Sequence, residues 1–275
     1  MGHFQLTAAQ IEDYHKNGYV IIRNYLSEGE VQRLQDIAFA DGLMRKHAFD
    51  LNDQTGKKTK LTLWYVPGND AYGLLSKSRR MVESADRLME GDTPVCHFHS
   101  KLMQKEPRVG GAWEWHQDYG YWYKNEFLFP DQMVSVMVAI TDANKANGCL
   151  QVIRGSHKMG RIEHGFSGEQ VGAADHYVTL ALKTLELVYV ELKAGDSLIF
   201  HPNLLHRSEA NLSEHPRWSL ISVYNRAGNV PYNEPSQSST VPVQMVPDEA
   251  LLEWAAQEIS ENAGFLEKDK DEALK

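Results

Sequence analysis

The sequence predicts a mainly β fold with flanking helices, and three observations carry that reading. From residue 95 onward, "VCHFHSKLMQK", "MVSVMVAIT", "CLQVI", "LVYVELKAGDSLIF" and "RWSLISVYN" are short β-branched or aromatic runs. Gly, Pro, Asn and Asp separate them, which is the spacing of a sandwich or barrel. Residues 1–90 instead show helical periodicity behind two capping boxes.

Thr7 with Gln10 forms the first box, Ile11 and Tyr14 carry helical spacing, and Gly18 stands where a terminating glycine belongs. Residues 8–17 are therefore expected as a helix, followed by the strand "YVIIR". Ser27 with Glu30 opens a second helix to about residue 40, with Val31, Leu34 and Ile37 on one face, and a third helical region covers 71–89. Beyond the strand-rich centre, 231–247 reads as a loop and "DEALLEWAAQEI" as a closing helix with Asp248 at its N-cap. No repeat or linker interrupts the 275 residues, whose 42% hydrophobic content suffices for a sizeable core. The expectation is one domain, residues 1–275: a helical part over about 1–90, a β core over about 91–230 and a C-terminal loop and helix over 231–275.

A net charge of −9 disfavours nucleic acid as a partner, because neutralising phosphates requires a basic surface. No stretch approaches the roughly 18 apolar residues of a membrane span, and the opening "MGHFQLTAAQ" lacks a charged leader with an apolar h-region, so a cytoplasmic protein is expected. Cys96 and Cys149 are too few and too far apart for a disulfide framework or a Cys-rich zinc site, and they suit a reducing compartment.

The stretch "WEWHQDYGYWY", residues 113–123, sets His116 and Asp118 among aromatic residues. A carboxylate beside an imidazole in such a run is paired or bound to something. His-x-Asp alone is weak, since chance supplies roughly one such pair in a chain like this. It gains meaning with a second histidine, because two His and one carboxylate hold Fe(II) on one face and leave positions for a co-substrate and O2. The segment "LIFHPNLLHRSEANLSEHPRWSLISVYN" offers three histidines. His206 is preferred because period-2 geometry places it with Ser208 on one strand face, while Arg217 and Ser219 share a face of the next strand. His201 competes, but no arginine lies eleven residues beyond it. An arginine inside "RWSLISVY" requires a fixed anion, which a dicarboxylate co-substrate would supply. His97 and His99 alternate along another strand; Glu106 is too distant for a cupin metal pattern, so they read as pocket lining or satisfied core. Lys105 reads as a solvated strand lysine.

These blocks carry a family resemblance. "LTAAQIEDYHKNGYVIIRNYLS", "WHQD", "ITDANKANGCLQVIRGSHK" and "HRSEANLSEHPRWSL" resemble the phytanoyl-CoA dioxygenase family of non-haem Fe(II)- and 2-oxoglutarate-dependent oxygenases, over nearly all of residues 5–228. The resemblance implies a double-stranded β-helix, a cupin-like jelly roll, with the metal at its mouth. It implies His116, Asp118 and His206 as iron ligands, and Arg217 with Ser208 and Ser219 at the distal carboxylate of 2-oxoglutarate. Lys101 and Met137 would border that co-substrate. An aspartate at 118, where halogenating relatives carry a small residue, implies hydroxylation with release of succinate and CO2. The family's usual "IPGSH" reads "IRGSH" here, so Arg154 replaces a turn proline and is expected either to loosen the turn or to point at a ligand. Tyr119, Tyr121, Trp122 and His99 are expected nearest the substrate, a small polar metabolite; a substrate that carries an amine would be held by the tyrosine and tryptophan rings through cation–π contact. The alternatives are a fatty acyl-CoA hydroxylase of the same class, a hydrolytic zinc enzyme on the same ligands, and a metal-binding jelly roll without oxygenase activity. The sequence does not specify an oligomeric state.

Overall fold

The computed structural model describes residues 4–40, 42–123, 129–167, 169–231, 238–254 and 263–266. The first capping box forms: Thr7 Oγ1 accepts from Gln10 N, and Gln10 Oε1 accepts from Thr7 N at 2.8 Å. It opens α1 (Ala8–Asn17), which stops at Gly18 with φ +83°, a conformation that a residue with a Cβ avoids. The strand β1 (Tyr19–Ile22) follows, and Ser27 with Glu30 caps α2 (Glu28–Ala40).

The chain then departs from the helical expectation for 1–90. After a short α3 (Gly42–Lys46), a hairpin of β2 (Phe49–Asn52) and β3 (Lys58–Trp64) leads into α4 (Ala71–Lys77) and α5 (Arg79–Leu88). The helical region expected over 71–89 forms as two helices divided at Ser78, whose ψ is 146°. A distant segment makes the break: Arg79 N donates to Val246 O, and Val246 N donates to Lys77 O, both at 3.0 Å. Asp248 belongs to the same junction. Rather than capping the closing helix, its Oδ1 accepts from Arg80 N at 2.8 Å and caps α5. The part of the closing helix that is described, α8 (Ala250–Glu253), has Glu249 at its N-cap, and residues 255–259 of the expected helix lie outside the described residues.

The remaining elements are β4 (Val95–Lys105), β5 (Trp113–His116), α6 (Asp118–Trp122), β6 (Met133–Ala139), β7 (Leu150–Ile153), β8 (His164–Ser167), β9 (Gln170–Ala173), α7 (Asp175–Thr184), β10 (Leu187–Val190), β11 (Ser197–Phe200), β12 (His206–Ser208) and β13 (Arg217–Arg226). Seven strands form an antiparallel sheet in the order β1-β11-β6-β13-β4-β3-β2, four form a second in the order β10-β7-β12-β5, and β8 pairs with β9. The two larger sheets face each other as the double-stranded β-helix of a jelly roll.

The seven-stranded sheet is buried on both faces, so its central strands read as unbroken apolar runs. In β6, Val134, Val136 and Val138 pack with Leu34, Leu75, Met81 and Leu88 of the helices. The alternate residues Met133, Met137 and Ala139 face Val152 and Val190 of the second sheet. Ile153, Val178, Ala181 and Leu205 form a third cluster that packs α7 onto the second sheet. Among the described residues, no helix is long and apolar enough to cross a membrane.

Candidate metal centre

His206 of β12 and His116, the last residue of β5, are Cα partners in the ladder. Asp118 opens α6 just beyond. The Nε2 atoms of His116 and His206 lie 3.7 and 3.8 Å from Asp118 Oδ1, and one ligand atom from each of the three residues falls within 4.8 Å of the others. All three side chains are buried.

The surroundings fix how these groups are presented. His116 Nδ1 is 2.8 Å from Glu114 O, and His206 Nδ1 is 2.9 Å from Leu204 O. A carbonyl only accepts, so each Nδ1 carries a proton and each Nε2 is the ring nitrogen left to face a ligand. Burial, followed by the neighbouring His116, pushes His206 down to about 3, which keeps it neutral. Burial opposes ionisation of Asp118, but the Lys101 ammonium, 3.5 Å from Oδ1, holds its carboxyl well below the usual range. Its Oδ2 accepts from Ser135 Oγ at 3.0 Å. Two imidazoles tethered by Nδ1 and one oriented carboxylate, with ligand atoms within 4.8 Å of one another, are the donor set of a 2-His-1-carboxylate iron site, so the residues fit that metal.

Gln117, between two of these residues, is fully committed. Its Nε2 donates to Gly160 O and Asn203 O, both at 2.8 Å, and its Oε1 accepts from Ile162 N at 2.7 Å. Its backbone N donates to His164 Nε2 at 2.9 Å. The neighbouring turn fits only glycine at 120, where an added Cβ would stand 2.3 Å from the His164 ring.

Arg217 begins β13 and is 4% exposed. Its Nη1 lies 3.5 Å from Ser219 Oγ, its Nε has no hydrogen-bond partner, and no carboxylate pairs with it among the described residues. Burial pulls its pKa down to about 10. The Cys149 thiol, whose field reaches it, is pushed up to about 11 by burial and stays neutral. A guanidinium left in this state costs several kcal/mol, on the order of the desolvation penalty for a buried ion, until an anion arrives. Ser208 is two residues beyond His206 on β12, and Arg217 and Ser219 share with Ile221 the face of β13 that looks toward the second sheet, which carries His116 and His206.

A family model for phytanoyl-CoA dioxygenase (PhyH) matches residues 14–219. The chain belongs to the phytanoyl-CoA dioxygenase family. It is 38% identical over 253 residues to phytanoyl-CoA dioxygenase 1 of Oryza sativa subsp. japonica, spanning 78% of this chain and 87% of that one. It is 26% identical over 234 residues to L-proline trans-4-hydroxylase of Streptomyces griseoviridis, spanning 79% and 86%. Its fold matches the crystal structure of EctD from S. alaskensis with 2-oxoglutarate and 5-hydroxyectoine, with a TM-score of 0.69 at 20% identity over 88% of each chain.

Within this family member, the other residues singled out from sequence fall into three groups. Lys101 and Met137 lie on the inward face of the main sheet, each a Cα partner of Ile221. His99 is buried nearby, with no partner for its Nε2 among the described residues, and burial followed by the Lys101 charge keeps it neutral. Trp122 stands edge-on to Phe98 at 5.4 Å and to His99 at 5.8 Å, completing one wall. Tyr121 is committed to packing: its ring meets His116 edge-on at 5.6 Å, and its hydroxyl donates to Val171 O at 2.7 Å. Tyr119 is buried, 6.0 Å from the Tyr123 ring.

Arg154 is not brought to the centre. Its side chain is 45% exposed and pairs with Glu186 at 2.6 Å, so the residue replacing the turn proline serves a surface ion pair. His97 turns to the opposite face of β4 at the Val223/Tyr224 irregularity in the β13 pairing, and there it bonds Ser100 Oγ and Tyr65 O. Ser135 and Gln117 carry no role in the sequence reading. Ser135 had a visible signal, a lone hydroxyl in the run "MVSVMVA". Lys105 had its even spacing from Lys101 along β4, and rather than being solvated it is 0% exposed.

Proposed function

We propose that this protein is an Fe(II)- and 2-oxoglutarate-dependent dioxygenase that hydroxylates an unactivated C–H bond of a small, polar metabolite, with release of succinate and CO2. Iron and its co-substrate, when bound, supply the activation of O2 that no side chain provides. The observation that carries the reading is Arg217: a buried guanidinium with no paired carboxylate among the described residues, on the inward face of the sheet opposite the one that carries His116 and His206. A hydrolytic zinc enzyme on these ligands would leave that guanidinium without a role.

The chain's own residues divide the work. His116, Asp118 and His206 hold the metal on one side and leave its other positions to ligands. Ser135 and the two backbone carbonyls fix the ligand orientations. Arg217 receives the distal carboxylate as a charge-assisted pair worth about 1.5–3 kcal/mol, with Ser208 and Ser219 beside it. Phe98, Trp122 and Tyr121 exclude water from the oxidising centre. The open Nε2 of His99 offers a hydrogen bond to a polar substrate group. A second reading, a fatty acyl-CoA substrate for the same chemistry, is favoured by the 38% identity to the rice protein named phytanoyl-CoA dioxygenase 1.

The test is anaerobic reconstitution with Fe(II), followed by 2-oxoglutarate, watching for the visible charge-transfer band of the chelate. A protein that binds both without the band is not this kind of oxygenase. Succinate release measured in parallel on amino acids and small amines and on fatty acyl-CoAs then separates the two substrate readings.

A further inference from the structure

Lys105 ends β4 where Arg217 begins β13, and the two are Cα partners in the antiparallel ladder. Side chains opposed in this way leave the sheet on one face, with Cβ atoms about 4.5–5.5 Å apart. Two basic side chains therefore share one corner of the interior, Lys105 at 0% and Arg217 at 4% exposure.

Lys105 spans the gap between the sheets. Its Nζ donates to the carbonyls of Ser208, at 3.4 Å, and Glu209, at the end of the strand that carries His206. Both acceptors are dipoles and neither is a charge. Asp53 is the acid whose field pulls most on Lys105, but its carboxylate is taken up by the backbone amides of Thr55, Lys57 and Ala112. Two like charges in a poorly polarisable corner repel, and each raises the other's need for an anion. Burial and the adjacent guanidinium push the lysine's pKa well below its ordinary value, as expected of such a pair.

We propose that Lys105 is a second cationic anchor for the distal carboxylate of 2-oxoglutarate, beside Arg217, and that this corner selects dicarboxylate over monocarboxylate 2-oxo acids. The proposal rests on the 2-oxoglutarate reading above. A structural lysine would only tie β12 to β4. An anchoring lysine also responds to the charge at the far end of the co-substrate.

The test titrates Fe(II)-loaded protein anaerobically with 2-oxoglutarate and with 2-oxobutyrate, which lacks the distal carboxylate, following the charge-transfer band. Lys105→Gln keeps donors for the two carbonyls and removes the charge; Lys105→Met removes both; Lys105→Arg restores charge. Loss of one charge-assisted contact raises the half-saturating 2-oxoglutarate concentration about 10- to 100-fold in the Gln and Met variants. The Arg variant recovers most of that loss, and half-saturation by 2-oxobutyrate changes less than about 3-fold, because no charged contact is lost. Equal shifts for both 2-oxo acids, or none for 2-oxoglutarate, overturn the anchor. Should Lys105→Met fail to fold, the Gln and Arg variants carry the comparison. A wild-type protein that shows no band with either acid overturns the oxygenase reading itself, and the anchor with it.

Discussion

His116 and His206 face each other across the β5–β12 ladder, with ring centroids 4.0 Å apart and planes inclined at 53°. Each ring is tethered by Nδ1 to a carbonyl two residues earlier in its own chain segment. The metal-binding atoms are thus set by local backbone, and the ladder brings the two segments together. Fe(II) at about 100 times its Kd should stabilise the protein by about 2.7 kcal/mol. His206→Ala should lose that increment, read as the shift of the urea midpoint with and without metal under anaerobic conditions.

Ser135 holds the other end of the carboxylate. Ser135→Ala should weaken Fe(II) binding about 10- to 100-fold, as removal of outer-shell partners does, while costing about 1 kcal/mol of apo stability. Metal titration and urea unfolding of the same variant separate the effects. Unchanged metal affinity would show that Lys101 alone orients Asp118.

Gly120 packs against His164 with no room for a methyl group. Gly120→Ala should destabilise by about 1–3 kcal/mol, the usual cost of overpacking. Its effect should shrink when combined with His164→Ala, because the clash partner is gone. Additive urea midpoints for the pair would mean the strain lies elsewhere.

The buried histidines predict an acid limit. Burial holds His97, His157 and His164 near 4, against 6.5 in an ordinary setting. Between those values the unfolded chain binds more protons than the folded one, so stability is fully present above 6.5 and falls as pH drops toward 4. His97 alone accounts for about 3 kcal/mol across that window. Urea midpoints should decline steadily from about pH 7 to about pH 4.5, and a flat profile would require these rings to be protonated in the folded state.

Legibility in the sequence followed how local the determinants are. The boundaries of α1 come from Thr7, Gln10 and Gly18, all within or beside the helix, and could be read directly. The same holds for β4 and β13, whose residues carry their own β propensity. The break at Ser78 and the capping by Asp248 could not be read, because their partners are distant in the chain. Hairpin β2–β3 was missed because its lysines and threonines mask the alternation of Leu61 and Leu63. At the site, residue type and spacing exposed the candidate ligands. The contributions of Ser135 and Lys105 depend on which strands adjoin, information that only the assembled sheets contain.

The double burial of β13 has an evolutionary consequence. Trp218 and Leu220 belong to the helical layer, while Arg217 and Ile221 face the second sheet, so loss of one residue would send the guanidinium into the hydrophobic layer and the indole toward the second sheet. Descendants of this chain are free to lengthen or shorten the connecting segments, but each position of this strand has a single permitted address.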